Sequence, residues 1–103
     1  MSGYAFHPGA FADLDEIWEY IAQDNVDAAD RILADIHSTL TTLAGSPHIG
    51  HRRPDLTTRP LRFHVMREHL IAYAPAEKPL WVVAVLQGRR NPRLMAAILR
   101  DRR

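Results

Sequence analysis

The chain has 103 residues, 47% of them apolar, which fits a single globular domain spanning residues 1–103 and excludes a disordered chain. It has no cysteine, which rules out a disulfide frame, a zinc knuckle and a thiol nucleophile. Net charge is only +1, yet residues 1–50 hold one base, Arg31, against eight acids, and residues 51–103 hold twelve bases against four acids.

Gly3–His7 (GYAFH) is short and aromatic, is bounded by Pro8-Gly9, and reads as a first strand. Pro8 suits the first turn of a helix. From there Phe11, Leu14, Ile17, Trp18 and Ile21 fall on one helical stripe, with Asp13, Asp15, Glu16 and Glu19 off it. Asp24-Asn25 breaks the pattern and offers an N-cap. A second amphipathic helix follows, with Ala29, Ile32, Leu33, Ile36, Leu40 and Leu43 apolar, and it stops at Gly45-Ser46-Pro47. So short a connection makes the two helices an antiparallel hairpin.

Residues 46–58 (SPHIGHRRPDLTT) are polar, with two prolines and a glycine, and read as a loop. Leu61, Phe63 and Val65 alternate as in a half-buried strand. The Arg67-Glu68 turn leads to Leu70–Ala74, and Pro75–Pro79 leads to Leu80–Leu86. The last run is apolar nearly throughout, as in a strand covered on both faces. Pro92 opens a short final helix, with Leu94, Met95 and Ile98 on one face. Short turns make the last three strands antiparallel neighbours. The helical hairpin must lay its stripe on one sheet face. The expected fold is α+β: an N-terminal strand, an antiparallel helical hairpin packed on a mostly antiparallel four-stranded sheet, and a short C-terminal helix.

The two halves carry −7 and +8. That asymmetry suits either an anionic partner for the second half or acidic helices docked on a basic sheet. No apolar run approaches the roughly 20 residues that span a bilayer. The start, MSGYAFHPG, lacks the charged and apolar regions of a signal peptide. The expectation is a soluble cytoplasmic protein with no membrane partner.

Four segments, taken in order, carry a family resemblance: ADLDEIWEYIAQDN (12–25), AADRILADIHSTLTTLAGSPHIG (28–50), RPLRFHVMREHLIAY (59–73) and VVAVLQGRRNP (82–92). Together they resemble the RelE/ParE superfamily of type II toxin–antitoxin toxins, on the ParE side. No one motif is specific; the ordered set is. The resemblance implies the same strand, hairpin and sheet order. It also implies a growth-inhibiting toxin, of the plasmid-stabilization kind, held inactive in a heteromeric complex with a cognate antitoxin, ParD-like or related. Toxins similar to ParE act on DNA gyrase without performing chemistry; RelE-like relatives cleave messenger RNA on the ribosome. LQGRRNP (86–92) is similar to a run in which a His is common at Gln87 and an Asp at Asn91.

Metal-free RNA cleavage needs groups that move protons as well as arginines that balance charge. Arg59, Arg62, Arg67, Arg89 and Arg90 supply the charge. After Arg90 there is no Tyr and no His, and Tyr4, Tyr20 and Tyr73 lie in apolar segments. His64 and His69 flank the Arg67-Glu68 turn, where a base is conceivable, though a lone strand His is more commonly a hydrogen-bonded surface residue. His48-x-x-His51 has helical metal spacing but falls in a Pro/Gly loop. No catalytic residue, metal or cofactor is assigned. Arg59, Arg62, Arg67, Arg89, Arg90 and Arg93 are the candidates for target binding. Phe11, Leu14, Trp18, Ile21, Arg89 and Arg90 are the candidates for antitoxin binding, with Trp18 the expected anchor. Phe11, Leu14 and Ile21 are expected to pack mainly on the sheet. Sequence-specific DNA binding by this chain alone is not expected. Two readings stay open: a gyrase-directed protein-binding toxin and a ribosome-dependent endoribonuclease. An inactive toxin-fold protein is the third.

Overall fold

The structure, a computed structural model, describes residues 3–103. Its elements are β1 (Tyr4–Phe6), α1 (Pro8–Ala22), α2 (Val26–Gly45), β2 (Arg62–Met66), β3 (His69–Ala74), β4 (Leu80–Gln87) and α3 (Pro92–Asp101). Helix starts are set by side-chain caps. The Asn25 Oδ1 accepts from Ala28 N at 3.0 Å and the Asn91 Oδ1 from Arg93 N at 2.8 Å, each worth about 1 kcal/mol. His7 does the same work for α1, its Nδ1 accepting from Gly9 N at 2.9 Å, so Pro8 stands at the helix's first position.

The strand order is β1-β4-β3-β2. The two short-turn pairs are antiparallel, while β1 runs parallel to β4, with Tyr4 opposite Leu80 and Phe6 opposite Val82. The sheet is therefore mixed. The helical hairpin is the long connection that a parallel neighbour requires. It carries the chain away from β1, and β4 returns beside it.

Both faces of the sheet are covered. The hairpin buries Leu14, Ile17, Ile36, Leu40 and Leu43 against Ile71, Tyr73, Val82 and Val85. The opposite face buries Phe63, Leu70, Ala72 and Leu86 under Leu56, Leu61 and the Met95/Leu99 line of α3. Each large apolar side chain so enclosed contributes roughly 1.5–3 kcal/mol over exposure. Between Ala72 and Tyr73 the β3–β4 register shifts: Ala72 pairs with Ala84 and Tyr73 with Val82. Val83 is the extra residue. Val83 and Ala84 consequently face the same side of the sheet, toward α3.

Three expected core positions lie elsewhere. Ala10, not Phe11, begins the buried line of α1, and Phe11 stands 57% exposed with its ring edge-on to Phe6. Val65 is 68% exposed because the α3 layer does not reach that end of β2. In α3 the inward line is Met95 and Leu99, one turn apart, which turns Leu94 outward and leaves Ile98 on the flank. No helix among the described residues is long and apolar enough to cross a membrane.

Candidate functional site

The β2–β3 hairpin turns in two residues, Arg67 and Glu68, between the paired Met66 and His69. Arg67 adopts a left-handed φ of 57°, an uncommon conformation for a side chain of its size. Its guanidinium reaches Asp35 of α2 at 2.5 Å and ties the turn to the hairpin. Beside this turn the chain leaves β4. Gly88 N donates to the Glu68 carbonyl at 2.8 Å, and a Cβ at Gly88 would lie 3.2 Å from that same oxygen. Gly88 thus permits the close approach that sets Arg89 3.5 Å from Glu68.

These elements and α1 enclose a cleft of about 460 Å³. Ile17, Ile21 and Tyr20 form its helical wall, Val85 and Gln87 its strand wall, and Glu16, Glu68, Arg89 and Arg90 its lips. His69 lines it and is paired with Gln87 across the strands. The imidazole is 8% exposed and makes no hydrogen bond among the described residues; of its two nitrogens, only Nδ1 is sealed off without a partner. Burial holds His69 below its ordinary pKa of 6.5, an effect that the nearby Glu68 opposes. The ring is therefore neutral at pH 7.

One carboxylate that lines the cleft, Asp13, belongs to a long-range pair. Asp13 and Arg102 form a two-pronged ion pair, with Arg102 Nη2 to Asp13 Oδ1 at 2.8 Å and Nη1 on Oδ2. Asp13 Oδ2 also accepts from Val85 N at 2.9 Å, and Arg102 Nη1 donates to the Val83 carbonyl at 3.3 Å. Both backbone groups lie on β4 just past its pairing with β1, beside the bulge. The pair closes that open strand edge and fastens the C-terminus to α1. Gly9 makes room for it: a Cβ there would lie 2.8 Å from Arg102 Cζ and 2.9 Å from Cδ. Asp13, expected to sit off the apolar stripe of α1, is instead largely enclosed. A signal was present, since Asp13 lies three residues after Ala10 and four before Ile17, in line with the buried stripe.

The six arginines named for target binding separate into two sets. Arg59 Nη1 donates to the carbonyls of Leu99 and Arg102 at 3.0 and 2.9 Å, which closes the C-terminus of α3. Arg62 Nη1 donates to Gly50 O at 2.7 Å and holds the loop before β2. Arg67 is held by Asp35. Arg89, Arg90 and Arg93 instead cluster at the exposed β4–α3 turn. Among these three only Arg89 has an ion pair in the described residues, a solvent-exposed one worth little. The antitoxin candidates divide as well. Leu14 is 5% exposed and belongs to the core. Ile21 is partly buried and lines the cleft. Phe11 is at the surface. Trp18 donates from Nε1 to Asp30 Oδ1 at 2.8 Å and bridges the two helices.

Tyr73 is fully buried and serves the scaffold. Its hydroxyl donates to Pro47 O at 2.7 Å and accepts from Gly50 N at 2.9 Å. His64 and His69, paired with Ile71 and Met66 respectively, do not share the cleft; only His69 lines it. The surface so assembled offers fixed positive charge on a turn, an apolar wall on α1 and one neutral imidazole between them.

No curated protein matches the chain. A family model described as "ParE toxin of type II toxin-antitoxin system, parDE" matches residues 4–92, from the start of β1 to the first residue of α3. With most of its length, and every strand of its sheet, inside that match, the chain belongs to the ParE toxin family.

Proposed function

We propose that this chain is a toxin that inhibits DNA gyrase by binding it, and that a cognate antitoxin neutralises it by covering the same surface in the cytoplasm. The carrying observation is the β4–α3 turn. Arg89, Arg90 and Arg93 stand exposed there on a short helix-opening turn capped by Asn91. Fixed guanidinium charges suit a grip on an acidic surface and do not themselves move protons. The family membership supports the toxin and antitoxin roles. The exposed Phe11 and the half-buried Trp18 and Ile21 on α1 offer the antitoxin apolar contacts, and Ile21 shares the cleft with Arg89 and Arg90.

A second reading, ribosome-dependent cleavage of messenger RNA, draws on one observation: His69 and Glu68 share a cleft with Arg89 and Arg90. Glu16 and Asp13 in the same cleft repel a phosphodiester, which weighs against it. Expression without antitoxin decides the matter. The expected result is loss of gyrase supercoiling with intact transcripts, and loss of toxicity in R89A/R90A at equal protein level. Codon-positioned transcript cuts with normal supercoiling would overturn the proposal in favour of the second reading.

A further inference from the structure

The opposite charges of the two halves do not cancel by docking on each other. Among the described residues only two arginines of the second half pair with acids of the first, Arg67 with Asp35 and Arg102 with Asp13. The sheet instead holds a set of acids and a set of arginines apart. The hairpin on one side carries the exposed Asp15, Glu16, Glu19, Asp24 and Asp27. On the other side α3 turns Met95 and Leu99 inward and leaves Arg93 and Arg100 exposed. Those two arginines are two turns apart, so they share one outer line roughly 10 Å long. Leu94 and Asp101 each follow them by one residue and so lie about 100° round the helix, off that line. Beside it, α3 and residues 54–58 enclose an open groove of about 700 Å³, lined by Arg100, Arg103, Thr57 and Thr58. Neither Arg100 nor Arg103 has an ion pair among the described residues. Asp55, the acid of the groove, is held by both prongs of Arg53, at 2.9 and 2.8 Å. The carbonyl end of α3, which repels anions, is covered by Arg59, whose Nη1 donates to Leu99 O and Arg102 O. Even with the α-carboxylate of Arg103 counted, Arg53, Arg59, Arg100 and Arg103 outnumber the negative groups here.

We propose that this face of α3 and the groove beside it bind the phosphate backbone of a nucleic-acid duplex without reading its sequence. The occupant follows from what the surface holds and from what it lacks. Protein docking sites are anchored by aromatic or large apolar side chains. The apolar lining here is Pro54, Ala96 and the buried Leu56, which give a partner side chain little to grip. No aromatic ring lines the groove, so unstacked bases of a single strand find no platform. The groove offers guanidinium and hydroxyl donors. Thr57 Oγ1 accepts from Arg59 N at 3.1 Å, which leaves its own O–H free to donate outward. Arginine forks and threonine hydroxyls are the groups that contact phosphate oxygens and carry no base information. The acidic hairpin on the far side of the sheet repels the same polyanion, so the molecule meets it with α3 foremost. This goes beyond the gyrase and antitoxin readings and rests on neither.

The test is fluorescence anisotropy of a labelled DNA duplex of about 20 base pairs and arbitrary sequence, titrated with the full chain from about 20 to 200 mM salt. Phosphate contacts from Arg93, Arg100 and Arg103 give a log–log salt slope of about −2.7. R100A/R103A is expected to make that slope shallower by about two and to weaken binding at the lowest salt at least about tenfold. Its melting temperature should stay that of the wild type, since both side chains are exposed and unpaired. R100K/R103K keeps the charges and is expected to keep the slope. R31A removes an exposed arginine from α2 and is expected to change nothing. Duplex RNA of the same length should bind through the same phosphates, and the tighter of the two duplexes identifies the partner. No binding at the lowest salt, or binding that R100A/R103A leaves unchanged, overturns the proposal. A glutamate-rich peptide that binds as tightly as the duplex also overturns it and assigns the face to an acidic protein. Neither gyrase nor antitoxin is in the sample, so failure here leaves the earlier reading standing.

Discussion

Removing the Asp13 carboxylate tests whether the structure hangs on the pair it makes with Arg102. The two side chains are 13% and 16% exposed, so water screens them poorly. D13A strips Arg102 of both prongs and leaves Val85 N–H without its acceptor. Breaking one side of a buried pair costs about 3–5 kcal/mol, and the residual exposure places this case near the lower figure. A loss of about 3 kcal/mol is a large part of the 5–15 kcal/mol that holds a domain this size together. It corresponds to a fall in Tm on the order of 10–20 °C. D13N keeps an acceptor and loses the charge, so it falls between wild type and D13A. The assay is urea unfolding of D13A, R102A and the double variant, followed by tryptophan fluorescence from Trp18 and Trp81. The double variant is expected to lose clearly less than the sum of the two single ones. Additivity within about 0.5 kcal/mol would refute the reasoning, since partners that do not couple are not a pair.

Y73F removes a hydroxyl that satisfies two backbone groups, Pro47 O and Gly50 N; a loss of about 1–3 kcal/mol is expected in the same denaturation assay. G50A is expected to destabilise for the complementary reason: its Cβ would lie 2.5 Å from the Tyr73 hydroxyl and 2.9 Å from Phe63 O, and neither can yield without breaking the loop. His69 makes stability depend on pH. Its folded pKa lies below the ordinary 6.5, so the unfolded chain binds the proton more readily, and its contribution is complete above about pH 6.5 and lost as pH falls below that value. Thermal melts from pH 7.5 downward should show this decline, and H69F should flatten it; an unchanged slope in H69F would assign the decline to other groups.

Much of the fold is legible along the chain. The helical hairpin, its Asn25 cap, the stop at Gly45-Ser46 and the doubly buried β4 each follow from spacing within a few residues. The candidate surface is less so. Arg59 and Arg89 have the same chemistry in the sequence. One closes the end of α3, forty residues away, and the other stands in solvent. His69 also gives no local hint of its setting. Its place in the cleft comes from the two-residue turn before it, the register that sets it against Gln87, and α1 laid across both.

By itself the sequence determined which segments become helices and strands, because caps, turns and apolar periods act between neighbours three or four residues apart. It also placed three arginines around the turn after the last strand. Only the tertiary structure decided that β1 lies parallel to β4, that a bulge at Val83 turns two successive residues toward α3, and that Asp13 meets Arg102 across 89 residues. The physical reason is the same in each case. Closing a long loop has no local signature; what selects it is the burial and hydrogen bonding gained when the loop is closed.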